Sequence, residues 1–114
     1  MASKPSEAIM QLTQEQGLSL SGNELDEAVA LAQGWHLDMG RWLNQDNFAR
    51  WEYEYQPSTN GSQCMEIMER EDISCRRAIT DGNRRWIAYM GDIEVFGETA
   101  MIAICRCFVF KNWA

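Results

Sequence analysis

Apolar residues recur at helical spacing in one segment near the start of the chain. The positions concerned are Leu25, Ala28, Val29 and Ala32. Ser21 precedes them with Glu24 three residues later, which is the pattern of a capping box, and Gly34 follows them as a stop signal. We therefore predict a helix between Ser21 and Gly34.

The spacing of apolar residues changes twice in the segment that follows. Residues 35–47 are irregular and aromatic, which predicts a loop. Residues 48–55 alternate between two sets of side chains, which predicts a strand with Trp51, Tyr53 and Tyr55 on its inner face. After a turn-rich stretch, residues 63–72 predict a short helix, with Met65, Met68 and Ile67 facing inward.

A hairpin is the next predicted element. Residues 73–80 and 83–90 flank Asp81-Gly82, a dipeptide that favours a two-residue type I′ turn. The resulting register pairs Arg77 with Trp86, Cys75 with Ala88 and Ile73 with Met90. Arg77 over Trp86 would form a cation–π pair.

The last part of the chain completes an α+β pattern. Residues 92–96 predict a short strand or loop, and the length of the apolar run over 99–112 favours a helix. The order of elements predicts a single two-layer domain at 21–114, with a three- to four-stranded antiparallel sheet and helices packed on one face. Residues 1–20 are polar, and we expect a loosely ordered lead-in or short helix.

Composition and charge narrow the classes of function. The chain has 114 residues and a net charge of −7, which allows one core and argues against direct binding of nucleic acid. The four cysteines form no CxxC pair and accompany a single histidine, so we expect no metal and no cofactor. The longest apolar run, residues 100–110, is too short to span a bilayer. We expect a cytoplasmic protein without a membrane partner.

One charged residue lies inside the apolar C-terminal segment. A buried guanidinium at Arg106 needs a partner, because an unpaired buried charge is costly. We expect a buried ion pair with Glu69, Glu71 or Asp72. Two alternatives remain open: an anion-binding arginine that these acids hold until a ligand arrives, and a side chain that reaches solvent.

A second candidate site lies at the start of the predicted helix over 63–72. Ser58, Thr59 and Asn60 offer hydroxyl and amide groups, and Asn60 has capping-box spacing to Gln63. Helix capping is one interpretation of these residues. The other is that they form a small anion pocket, for a nucleotide, together with Arg106 or with the arginines of the hairpin.

Two further groups are candidates for a partner surface. The hairpin group consists of Arg76, Arg77, Arg84 and Arg85. The second group, in the predicted loop, consists of Trp35, Arg41 and Trp42. Like charges on a two-stranded ribbon repel one another unless solvent, acids or a partner compensate them. Aromatic residues in a loop either close the core or anchor a partner, and both interpretations stay open.

An ordered set of short blocks resembles the phage NinX-like family. The first block contains Ser58-Thr59-Asn60, Gln63, Ile67, Glu69-Arg70-Glu71 and Ile73. The second is Trp86-Ile87-Ala88, and the third joins Gly97-Glu98-Thr99-Ala100 to residues 102–109 and Lys111. Leu18-Ser19-Leu20-Ser21-Gly22 precedes them, so the resemblance covers residues 18–111. It implies a phage origin and an accessory role, and this family supplies no activity.

These observations favour a non-enzymatic accessory protein that acts by binding. The leading hypothesis is an inhibitor of a bacterial defence system such as CRISPR, in which an acidic, aromatic-rich surface binds a host protein or ribonucleoprotein complex. The first alternative is a protein that sequesters a nucleotide in an Arg/Ser/Thr pocket. The second is a small hydrolase, although the sequence presents no catalytic constellation. Whether the chain forms a homodimer is left open.

Overall fold

The computed structural model describes residues 18–44, 49–80 and 82–112. Most of the predicted lead-in over 1–20 lies outside the described residues. The helices are α1 (Gly22–Ala32), α2 (Gly61–Glu71) and α3 (Ala100–Asn112). The strands are β1 (His36–Asp38), β2 (Arg41–Leu43), β3 (Ala49–Trp51), β4 (Ser74–Thr80), β5 (Asn83–Met90) and β6 (Ile93–Gly97).

The first predicted helix is confirmed as α1, but its capping box is wrong. Ser21 occupies the N-cap position, yet its side chain makes no capping hydrogen bond. Gly22 has a φ of +58°, so the chain does not enter the helix in the ordinary way. Leu25, Ala28 and Val29 are fully buried, as the helical spacing predicts.

The predicted loop over 35–47 is wrong, because it contains strands β1 and β2. These pair antiparallel around Met39 and Gly40, whose φ angles of +50° and +79° suit a tight hairpin turn. Met is an unusual residue at positive φ, so the turn gives no clear signal in the sequence. Strand β3 pairs with β2 and completes a small three-stranded sheet.

The predicted strand over 48–55 is correct only for residues 49–51, near its start. After β3 ends at Trp51, the chain forms a 3₁₀ turn over Glu52–Glu54, so the side chains no longer alternate between two faces. Tyr55 is buried, but Trp51 is 46% exposed and Tyr53 is 69% exposed. The prediction that both of these residues lie on an inner face is therefore wrong.

Helix α2 confirms the third predicted element and begins slightly earlier than expected. The Asn60 side chain accepts a hydrogen bond from the Gln63 N–H (3.0 Å), and Asp72 ends the helix with a φ of 57°. Ile67 is buried, whereas Met65 is 52% exposed. The inward prediction for Met65 is wrong, since two residues along a helix turn the side chain to nearly the opposite face.

The hairpin has the predicted register. Arg77 pairs with Trp86 and Cys75 with Ala88, and the Arg77 guanidinium carbon lies 5.5 Å from the centroid of the Trp86 ring. Strand β6 pairs with β5, so the second sheet has the order β4-β5-β6. The Asp-Gly turn and the alternating pattern were sufficient to predict this arrangement.

Helix α3 forms the centre of the core. It packs on all three strands of the second sheet and on α1 and α2, and it is buried from Ala103 to Val109. The helix lies so close to β6 that a Cβ atom added at Gly97 would be 2.5 Å from the Ala103 nitrogen. The α+β fold is thus confirmed, with two three-stranded antiparallel sheets where one sheet was predicted.

Candidate functional site

Arg106 is buried, as expected, with 7% of its surface exposed. Its Nε donates to the Leu20 carbonyl oxygen (2.7 Å), and its Nη1 donates to the Phe96 carbonyl oxygen (3.1 Å). Its Nη2 lies 3.4 Å from Oε2 of Glu98, whose side chain is 72% exposed. The guanidinium therefore joins the segment before α1 to the end of β6 and retains one side that faces a surface carboxylate.

The prediction that Arg106 forms an ion pair with Glu69, Glu71 or Asp72 is wrong. Glu71 instead accepts a hydrogen bond from Nε of Arg70 (3.0 Å), and both Glu69 and Asp72 are exposed. Glu69 lies two residues after the buried Ile67 and so on the opposite face of helix α2, whereas Glu71 lies on the Ile67 side but pairs with Arg70. Glu98, in the turn just before α3, is the residue that sequence reasoning missed.

Of the residues proposed to form an anion pocket with Arg106, Asn60 caps helix α2, and Gln63 is its capping partner. Gln63 accepts a hydrogen bond from the Gln56 N–H (2.6 Å) and donates one to the Glu54 carbonyl (2.7 Å). Thr59 Oγ1 lies 3.4 Å from the Gln56 carbonyl oxygen. Ser58, Thr59 and Asn60 do not line the cavity that Arg106 lines. The combined Ser/Thr/Arg pocket is therefore not formed.

Arg106 lines a different cavity, of about 540 Å³, at the tip of the hairpin and the end of β6. We call it the arginine cavity and define it by Arg84, Arg85, Glu94, Phe96, Glu98 and Arg106. Arg84 and Arg85 are exposed, and neither forms a salt bridge with any residue that the structure describes. Of the four hairpin arginines, Arg84 and Arg85 line the same cavity as Arg106.

A second cavity, of about 460 Å³, lies between α1, the first sheet and the 3₁₀ turn. We call it the aromatic cleft and define it by Asp26, Glu27, Trp42, Trp51, Glu52 and Tyr53. The rings of Trp51 and Tyr53 stack at 6.3 Å with an interplanar angle of 12°. Among the described residues that line this cleft, three are acidic and none is basic.

Asp26 is the buried acid of the aromatic cleft, with 6% of its surface exposed. Its Oδ1 accepts a hydrogen bond from the Ser58 N–H at 2.8 Å, which joins α1 to the turn before α2. Burial raises the pKa of Asp26 above its ordinary value, and the hydrogen bond from the Ser58 N–H offsets part of that rise. A cation in the cleft would stabilise the charged form of this carboxylate.

The aromatic residues predicted to face a partner are mainly core residues. Trp42 is 2% exposed, and Trp35 packs against the core with its ring 4.6 Å from that of Tyr55. Arg41 is half-buried on β2, opposite Trp51. In the described part of this region, Trp51 and Tyr53 are exposed instead. The acidic residues on both sides of Tyr53 were the available sequence signal for this exposure.

Among the described residues, the structure does not bring together the histidine and cysteine that one version of the hydrolase hypothesis requires. His36 is exposed on β1 and makes no hydrogen bond to a cysteine in the described part of the chain. A hydrogen bond with Cys64 and burial raise the pKa of Cys105, and burial raises the pKa of Cys107 to about 11. That bond lowers the pKa of Cys64, but Cys64 is buried as well.

Neither a metal centre nor a membrane span is found in the part of the chain that the structure covers. Across residues 18–44, 49–80 and 82–112, no three His, Cys, Asp or Glu side chains are grouped so that they could hold a metal ion. Within the same residues, no helix is long and apolar enough to cross a membrane.

A solved structure shares the fold of this chain. A solved structure described as a phage protein from Bacillus cereus ATCC 14579 is similar to this chain, with a TM-score of 0.54 and 16% sequence identity. The similarity covers 80% of this chain and 91% of that one, and it supports a shared fold. No curated protein sequence matches the chain.

The family follows from the sequence itself. The model of the family described as Bacteriophage P22, NinX, matches residues 18–112. The chain therefore belongs to this phage family, and it is a phage accessory protein. The matched region contains both the aromatic cleft and the arginine cavity.

Proposed function

We propose that the protein acts without catalysis, by binding a basic surface of a host protein in its aromatic cleft. One observation carries this proposal: Trp51 and Tyr53 are exposed beside the carboxylates of Asp26, Glu27 and Glu52. Aromatic faces attract guanidinium and ammonium groups, and carboxylates give them charge-assisted hydrogen bonds. The cleft thus offers both kinds of contact that an arginine or lysine side chain uses.

The exposure of these two rings also supports an interaction site. Large aromatic side chains on a protein surface are enriched at the centres of interfaces, where they fill a partner's pockets or cover its side chains. Here the two rings already stack on each other, so little side-chain freedom is lost when a partner binds. The neighbouring carboxylates favour a cationic partner over an apolar one.

The partner class follows from charge and from the phage family. The chain has a net charge of −7, and host complexes that hold nucleic acid present grooves rich in arginine and lysine. Complementary charge speeds the encounter with such a groove. A phage gains when a complex that recognises its genome by base pairing is blocked. The proposed partner is therefore a nucleoprotein defence complex of the CRISPR type, whose nucleic-acid groove the phage protein would occupy.

The test is a pull-down of purified CRISPR effector complexes by the tagged protein, together with target-DNA binding by those complexes. We expect a complex at about 0.05 M salt that weakens at about 0.5 M, because salt screens the charges that bring the partners together. The effector should lose target binding in proportion to its occupancy by the phage protein. Absence of any complex at the lower salt concentration would contradict the proposal.

Matched variants connect the binding to the aromatic cleft. Trp51→Ala, Tyr53→Ala and Glu52→Gln should each weaken binding, because they remove a ring or a charge from the cleft. Tyr89→Ala and Glu69→Gln are the controls, since these residues are exposed and do not line the cleft. Equal losses in the two groups would assign the binding to another surface.

A further inference from the structure

We propose that the arginine cavity is a binding site for a phosphate-bearing small ligand. This site goes beyond the proposed binding of a host protein, because it lies at the hairpin tip and shares no lining residue with the aromatic cleft. The proposal rests on three features: a preorganised buried guanidinium, two further arginines without an ion pair among described residues, and a cavity of small-molecule size.

Arg106 is preorganised by the main chain. Two of its nitrogens are fixed by the carbonyl oxygens of Leu20 and Phe96, so the planar guanidinium cannot turn away from the cavity. The remaining side of the fork faces Glu98, whose side chain is largely exposed and lies at 3.4 Å. A contact with so exposed a carboxylate contributes little, and a phosphate oxygen can replace it.

Arg84 and Arg85 increase the positive charge on the same cavity. They are adjacent in sequence, both are exposed, and within the described residues neither has a carboxylate within salt-bridge distance. Three arginine residues thus line the cavity, together with Glu94 and Glu98. Because Arg84 and Arg85 are consecutive on β5, their side chains leave opposite faces of the strand, so an anion is shared by Arg106 and one of these two arginines.

The size and the wall of the cavity indicate a small ligand. A volume of about 540 Å³ lies within the range of pockets that hold small molecules. Phe96 is 41% exposed and forms part of the wall, so it offers an apolar ring surface beside the anion site. The combination suits an organic diphosphate whose phosphates contact the arginines while its remaining part covers Phe96.

Calorimetric titration with three probes separates the contributions of charge and ring. Pyrophosphate tests the anion alone, adenosine tests the ring contact alone, and ADP tests both together. We expect binding of pyrophosphate and ADP but not of adenosine, with ADP the tighter ligand of the two. Equal affinities for pyrophosphate and ADP would limit the proposal to a bare anion site. Lack of binding by both phosphates would overturn it.

Variants of the residues that line the cavity distinguish a specific phosphate site from a general attraction of anions to positive charge on the hairpin. One of the two variants Arg84→Ala and Arg85→Ala should weaken pyrophosphate binding by about tenfold, because the arginine that faces the anion beside Arg106 supplies a charge-assisted contact. Arg76→Ala removes the same charge from the same hairpin outside the cavity, and it should leave the affinity unchanged. Equal weakening by all three variants would overturn the proposal.

The most specific variant is Glu98→Gln. It removes the carboxylate that competes for Arg106 but leaves the main-chain bonds of the guanidinium in place. We therefore expect pyrophosphate to bind several-fold more tightly, whereas a purely structural ion pair predicts unchanged or weaker binding.

Arg106→Lys completes the set, with circular dichroism as the check on folding. This variant should lose affinity because lysine lacks the fork. If Arg106→Lys does not fold, the change in pyrophosphate affinity of Glu98→Gln still tests the proposal.

Discussion

Among the residues that the structure describes, two charged side chains are buried, and each is bound by main-chain groups of a distant segment. Arg106 binds the carbonyl oxygens of Leu20 and Phe96, and Asp26 binds the Ser58 N–H. Buried charges are tolerated when hydrogen bonds replace the lost hydration. The sequence predicts that Arg106 needs partners. It could not identify them, because every residue has a main-chain carbonyl oxygen and the pattern of side chains does not distinguish one from another.

Replacing Arg106 with an apolar residue of similar length should strongly destabilise the fold. Arg106→Met removes the donors to the buried Leu20 carbonyl oxygen and to the partly buried Phe96 carbonyl oxygen, and we expect a loss of about 3 kcal/mol in the free energy of unfolding. Arg76→Ala, at an exposed hairpin position, should change that free energy by less than about 0.5 kcal/mol. Urea denaturation followed by circular dichroism measures both. A loss in Arg106→Met no larger than the control's would show that the two hydrogen bonds contribute nothing.

Asp26 should make stability depend on pH. Burial raises its folded-state pKa above the unfolded value of about 3.8, so between these two values the folded protein keeps a proton that the unfolded chain releases. Stability contributed by this group is therefore full at low pH and falls as pH rises through that window. Asp26→Asn lacks the effect but retains an oxygen that can accept from the Ser58 N–H.

Comparison of Asp26→Asn with the parent protein at several pH values isolates this contribution. The stability of the variant relative to the parent should increase as pH rises from about 4 to about 7, because only the parent must ionise a buried carboxyl. Urea unfolding at each pH gives the difference directly. A difference that stays constant with pH would show that burial does not shift the pKa of Asp26.

At the scale of elements, the closest packing joins α3 to the end of β6. Gly97 allows this contact, because any side chain there would meet the backbone of Ala103. The same contact places Glu98 and the buried Arg106 at the wall of one cavity. The position of the arginine cavity is thus fixed by how tightly the terminal helix lies on the sheet.

Gly97→Ala should therefore cost about 2 kcal/mol in the free energy of unfolding, because the helix must move away from the strand. Gly61→Ala is the matched control: a Cβ atom at Gly61, in the first turn of α2, meets nothing within 4 Å. We expect that change to be neutral or slightly stabilising, since alanine favours the helix. Thermal unfolding of the two variants side by side is the measurement. Equal midpoints would refute the close contact.

The elements that carry strong local signals could be predicted from the sequence. The hairpin register follows from Asp81-Gly82 and the alternation around it, and α1 and α3 follow from their apolar patterns. The small first sheet could not be predicted, because its turn at Met39 carries no typical turn residue before Gly40. The 3₁₀ turn after Trp51 was missed for the related reason that short helical turns lack a periodic signature.

At the scale of the whole molecule, the net charge is −7, yet two of its surfaces differ in the sign of the charged residues that dominate them. The aromatic cleft is lined by acids and exposed rings, whereas three arginines line the cavity at the hairpin tip. The sequence supplied the individual residues of both sites. It could not assign them to one cavity or the other, because that assignment depends on where α1 and α3 pack, which long-range contacts decide.

The most direct test of the central claim, that the aromatic cleft binds cationic groups of a protein partner, is a nuclear magnetic resonance titration with an oligo-arginine peptide. We predict that the indole N–H of Trp51 and the backbone amides of Glu52 and Tyr53 shift most, and that Glu52→Gln reduces these shifts. Signals of Tyr89 and Glu69, outside the cleft, should stay in place. Shifts spread evenly over the acidic surface, or absent at Trp51 and Tyr53, would contradict the account.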